Sequence, residues 1–199
     1  RPLPYAEGGY GYPEDGQTVV NVTDGKIIRL LVEDEPMDMR YGSADEHERI
    51  LDFRTGTLRR HTVWTSPTGR RVRIASERLV SFTERAIVAM RYEVFPLDED
   101  LEFVVQSELL ANEPVRAEGN DPRLAAVLDS PLVADGAIAR DNRAILAHHT
   151  RSSELRMAAG MDHEVEVEST PHCELVADGD LARLTVAAAV AEVARDEGH

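Results

Sequence analysis

The side chains able to do chemistry in this sequence are carboxylates, histidines and one cysteine. Paired carboxylates serve as general acid and base, and cleaving a glycosidic bond needs one protonated and, in hydrolysis, a second across the bond. Asp45, Glu46, Glu48, Asp98, Glu99, Asp100, Asp162 and Glu164 are all available. Abundance selects no pair, and Asp98-Glu99-Asp100 reads as a solvated turn. Seven histidines raise the question of a metal. His148 and His149 are neighbours, so in a strand they point to opposite faces and do not share an ion. His172-Cys173 has the same geometry, and no second cysteine or H-x-H pair completes a set with His163. Cys173 has no basic partner fixed by sequence that would make it a nucleophile. These patterns assign no catalytic, cofactor-binding or metal-ligating residue.

The aromatic residues offer a second kind of site. Tyr5 precedes the stretch AEGGYGYPEDG, Ala6 to Gly16, and Tyr10 and Tyr12 lie within it. Their rings could stack on the apolar face of a pyranose or cover an interface, and either reading suits loop aromatics. The stretch itself lacks the preceding strand and third glycine of a dinucleotide loop, since Glu14 stands there, so it reads as a surface loop. Trp64, the single tryptophan, shares a strand face with Leu58 and reads as core. Asn21-Val22-Thr23 fits a glycosylation sequon, but it reads as mid-strand and as a chance match.

The elements that must position these groups are strands. Apolar residues alternate in Lys26–Glu33 (Ile28, Leu30, Val32), in Arg70–Ser76 (Val72, Ile74) and in Arg85–Phe95 (Val88, Met90, Tyr92, Val94). The same period marks Leu101–Leu109 (Leu101, Phe103, Val105) and the late series Leu155, Met157, Ala159, Met161. Turn signals fall between the runs at Asp24-Gly25, Thr55-Gly56, Pro67-Thr68-Gly69, Asp135-Gly136 and Asp178-Gly179. A hairpin turn is expected at Asp24-Gly25. A short helix is expected at Asp121–Leu128, capped by Asp121 with Pro122 in the first turn. Asp180–Val193 is open to both helix and strand, and strand is preferred. Many short strands joined by turns predict a large antiparallel two-sheet β-sandwich in one domain spanning residues 1–199.

Size and charge exclude other classes. A chain of 199 residues buries a core without staples. With 37 acidic against 22 basic residues the net charge is -15. Such a surface repels nucleic acid and anionic membranes. No apolar run approaches the roughly 20 residues a membrane helix needs. One cysteine forbids an internal disulfide and fits a reducing, cytoplasmic compartment. There is no initiator Met, so Arg1 is not expected to be the natural N-terminus.

Three segments carry a family resemblance. They are GQTVVNVTDGKIIRLLVEDEP (Gly16 to Pro36), RILDFRTGTLRRHTVW (Arg49 to Trp64) and SERLVSFTERAIVAMRYEVFPL (Ser76 to Leu97). In the second, Arg49, Leu51, Asp52, Gly56, Leu58, Arg60 and Trp64 fall in the pattern. The chain resembles the N-terminal domain of glycoside hydrolase family 65, the maltose, trehalose and kojibiose phosphorylases and related hydrolases, over most of residues 5–165. The resemblance implies a supersandwich of the galactose-mutarotase type, with at most one or two short helices. It also implies that this chain lacks the domain's first strands and the catalytic (α/α)6 barrel that follows. The family's general acid is a barrel glutamate and its phosphate site is there too, so no catalytic residue carries over. The expected role is a non-catalytic scaffold of an inverting enzyme acting on α-glucosides. Its partners would be the barrel of the same polypeptide, the parent enzyme's disaccharide and, in some members, a second subunit in a homodimer. No cofactor is implied, only inorganic phosphate as co-substrate in a phosphorylase. A free-standing carbohydrate-binding sandwich and a mutarotase-like enzyme remain as alternatives. The latter would need His61 or His148 facing a glutamate in a cleft.

Overall fold

The computed structural model describes residues 3–4, 10–11, 15–16, 20–113 and 130–191. Along the chain run β1 (Leu3–Pro4), β2 (Asp15–Gly16), β3 (Asp24–Val32), β4 (Glu35–Pro36), β5 (Ser43–Asp52), β6 (Thr57–Thr65) and β7 (Arg71–Val80). They continue as β8 (Val88–Pro96), β9 (Leu101–Leu110), β10 (Leu132–Arg140), β11 (Arg143–Thr150), β12 (Arg156–Asp162), β13 (His172–Asp178) and β14 (Leu181–Val190). No described residue is helical, and the helix expected at Asp121–Leu128 lies outside the described residues. β1 pairs with β2; the larger sheets have the orders β10-β11-β12, β13-β14-β9-β3-β4 and β5-β6-β7-β8. The fold is the all-β antiparallel sandwich that the alternation predicts.

The chain forms two compact units. In the unit of residues 29–105, 166–172 and 186–199, Leu30 and Val32 of β3 and Leu101 and Phe103 of β9 pack on Trp64, Val72 and Ile74 of the four-stranded sheet. In the unit of residues 1–28, 106–165 and 173–185, Leu109 and Ala182 pack on Ala144 and Leu146 of β11. Each unit thus has its own apolar layer between two sheets, as period-2 strands with one apolar face require. Burying each large apolar side chain contributes about 1.5–3 kcal/mol.

Three turn signals behave as expected: Gly56, Gly69 and Gly179 have φ of 72°, 91° and 52°, a region that favours glycine. Two do not. Asp24 and Gly25 open β3 instead of turning a hairpin. There a Cβ on Gly25 would stand 3.0 Å from Leu109 Cδ2, so the glycine serves close approach. Gly136 lies inside β10 at a bulge, where the register with β11 shifts between Ala134 and Gly136. Asn21 is exposed and precedes β3, so the sequon is not mid-strand. The ambiguous Asp180–Val193 stretch supplies β14, a strand.

Candidate functional site

The three tyrosines separate at once. Tyr10 is fully exposed at a turn, while Tyr5 and Tyr12 lie outside the described residues. Trp64 has no exposed surface. Its place in the core follows from β6, which puts Leu58, Arg60, Thr62 and Trp64 on one face. An indole in that position cannot join a sugar-binding platform.

The densest polar cluster lies in the unit that holds β11. His148 is wholly buried, and its Nε2–H donates to Asp180 Oδ1 at 3.0 Å. Asn112 Nδ2 donates to Asp180 Oδ2 at 2.9 Å and to the Leu132 carbonyl at 2.9 Å, while its Oδ1 accepts from Leu132 N at 3.0 Å. The backbone N–H of Ala111 donates to the Asp180 carbonyl at 2.8 Å. His148 Nδ1 has no partner among the described residues. Asn112 adopts φ 53°, a left-handed conformation its short amide tolerates. The cluster ties the end of β9 to the starts of β10 and β14. Its His148 end is closed to solvent, while the Asp180 side chain keeps 45% exposure, so the cluster reaches the surface only through that carboxylate.

Other polar groups are absorbed in the same way. In that unit Arg183 Nε donates to buried Glu108 at 2.8 Å. His163 contacts Ser107 Oγ at 2.8 Å and the Asn142 carbonyl at 3.1 Å. His149 contacts Asp135 at 2.7 Å on the opposite side of β11 from His148. Cys173 is exposed on β13. Among the described residues no three His, Cys, Asp or Glu side chains converge as metal ligands would.

In the other unit His61 is the cross-strand partner of Glu48. That is the pairing a mutarotase-like reading would look for, yet no hydrogen bond joins the two among the described residues. A neighbouring shallow groove of about 260 Å³ is lined by Thr57, Glu77, Leu79, Ala89, Met90 and Arg91, with neither of them in it. Carboxylates in this unit serve turns. Backbone N–H groups of Arg54 and Thr55 hold the Asp52 carboxyl below its ordinary range, and the Arg40 side chain does the same for Asp38. Hydrogen bonds from Ser66 and Thr68 depress Glu35 likewise. Burial pushes the Tyr92 phenol up to about 12.

Asn112, Glu108 and Asp180 were not singled out by sequence reasoning. Asn112 and Asp180 are 68 residues apart and Glu108 and Arg183 75 apart, so no local motif announces either pair. The only local signal was the turn at Asp178-Gly179, which sets Asp180 at the head of β14.

Comparison with known proteins adds a frame that the side chains alone do not. Residues 2–195 match the family model described as glycosyl hydrolase family 65, N-terminal domain. An uncharacterized glycosyl hydrolase of Mycobacterium tuberculosis is 54% identical over 186 residues, 94% of this chain and 24% of that protein. An alpha,alpha-trehalose phosphorylase of Thermoanaerobacter brockii is 38% identical over 94 residues, 47% of this chain and 12% of that protein. Among solved structures, a putative kojibiose phosphorylase from the human microbiome shares the fold at TM-score 0.71 and 17% identity, covering 86% of this chain and 21% of that one. The chain therefore spans about a quarter of the length of its 54%-identical mycobacterial relative.

Proposed function

Because the chain belongs to the glycosyl hydrolase family 65 N-terminal domains, we propose that it is the non-catalytic scaffold of a larger carbohydrate-active enzyme. The parent is an inverting disaccharide phosphorylase or hydrolase of α-glucosides. Its catalytic barrel follows in the same polypeptide, supplies the acid glutamate and admits inorganic phosphate or water. No cofactor takes part, the compartment is cytoplasmic, and the sandwich helps shape the pocket rim and a homodimer. The observation that carries this reading is length: a domain that accounts for 24% of its mycobacterial relative leaves most of that enzyme elsewhere. The burial of His148 agrees with it, since that imidazole is not presented to a substrate. The purified 199-residue chain is expected to turn over neither trehalose, kojibiose nor maltose, with or without phosphate. Release of glucose or glucose 1-phosphate by the chain alone would refute the scaffold role.

One observation favours a carbohydrate-binding role instead: the full exposure of Tyr10. Calorimetric titration of the chain with the same disaccharides separates the two readings, because a scaffold gives no heat and a Tyr10→Ala variant would abolish any heat that a binding module gives.

A further inference from the structure

The inward face of the β5-β6-β7-β8 sheet runs past its own core. Trp64 and Val72 form one cross-strand row, and both are wholly buried. Two rows further along come Arg60, Ser76 and Tyr92; the next is Leu58, Arg78 and Met90. Leu51, which continues that last row on β5, and Val80 and Val88 one row beyond it are half exposed, and Phe53 and Phe82 at the turn tips are 90% and 86% exposed. The tips adjoin, since a Cβ on Gly56 would lie 3.5 Å from the Phe82 ring. Five large apolar side chains at one sheet end amount to roughly several hundred Å², the size at which an exposed patch marks an interaction site.

The same end is cationic on an acidic chain. Residues 49–60 and 77–91 carry seven arginines against Asp52, Glu77 and Glu84, while the whole chain stands at -15. Arg49 and Arg60 are direct cross-strand partners on the inward face. Like charges in that relation repel, and neither makes an ion pair among the described residues. A surface that brings carboxylates to them relieves that repulsion.

We propose that this end is the docking face for the remainder of the full-length polypeptide, on a surface that is apolar at its centre and acidic opposite Arg49 and Arg60. The proposal rests on the scaffold reading above and names the surface that reading leaves open. A relative four times as long supplies the occupant. A second copy of the chain is the poorer fit, because a two-fold contact through this end would set arginines against arginines.

The test uses the full-length gene product carrying Phe53→Cys, Phe82→Cys or, as a control at an exposed turn, Asp141→Cys. Maleimide modification is followed by peptide mass in native buffer and in urea. The native thiols introduced at 53 and 82 are expected to react at least tenfold more slowly than in urea, with the control changing little. Arg49→Glu combined with Arg60→Glu is expected to restore fast modification at position 82. Rates at 53 and 82 that match the control overturn the docking face while the scaffold reading stands. Protection that vanishes on dilution to the monomer assigns the face to a second copy and overturns the proposal. A gene product of only 22.1 kDa removes the occupant and overturns both.

Discussion

Gly42 shows how much a single residue type can decide. A Cβ there would stand 2.5 Å from the Thr65 carbonyl oxygen and would overlap the Trp64 indole nitrogen. Neither neighbour can give way easily, because one is strand backbone and the other is wholly buried. Gly42→Ala is expected to cost about 1–3 kcal/mol, as overpacking does, seen as a lower urea midpoint. Gly136→Ala is the comparison, since a Cβ there meets nothing within 4 Å. Asp52 makes a different point at the same scale. Its carboxyl is held below the ordinary value of 3.8 by the N–H groups of Arg54 and Thr55. The unfolded chain therefore takes up its proton first as pH falls. The stabilisation is complete above 3.8 and is lost as pH drops through the lower folded value. Urea midpoints measured from about pH 5 to about pH 2 should fall, and Asp52→Asn should flatten that slope because its amide does not titrate there. The strand pattern placed Trp64 correctly in the core, whereas Asp52 stood out only through the family resemblance. It could not see Gly42, whose constraint comes from a side chain 22 positions away.

At the scale of elements the alternation was legible wherever one face meets a core. Leu30 with Val32, Val72 with Ile74, and Leu101 with Phe103 are all buried as their period requires. The signal fails where tertiary context sets the backbone, as at Gly25, which approaches Leu109, and at Gly136, which sits in a bulge. β5 is the instructive strand. It lies at the edge of its sheet, and nine of its ten residues are exposed, so no face of it alternates in burial. Its free edge carries Asp45, Glu46, Glu48 and Arg49, and charge on an edge strand discourages pairing with another sheet. Glu46→Val with Glu48→Val is expected to leave the fold intact and to raise light scattering at neutral pH several-fold over hours. Unchanged scattering would mean that the twist of β5, not its charge, protects the edge.

For the whole molecule the issue is how an acidic domain carries an apolar, arginine-rich end. Two effects oppose each other when the 199-residue chain is alone in solution. A net charge of -15 keeps copies apart, whereas Phe53, Phe82 and their neighbours gain by leaving water. Their ranges differ: repulsion is screened over about 8 Å at physiological ionic strength and over less as salt rises, while apolar burial acts at contact and strengthens with excluded salts such as sulfate. Added salt therefore weakens only the opposing effect. Sedimentation of the isolated chain is expected to show weak self-association that grows with sulfate concentration. Phe53→Ser with Phe82→Ser should suppress most of it, because those two rings are the most exposed part of the patch. Association that weakens with salt would instead identify charge pairing as its cause. In that case the arginines at this end would matter more than the phenylalanines, and the surface they meet in the full-length enzyme would be chiefly acidic.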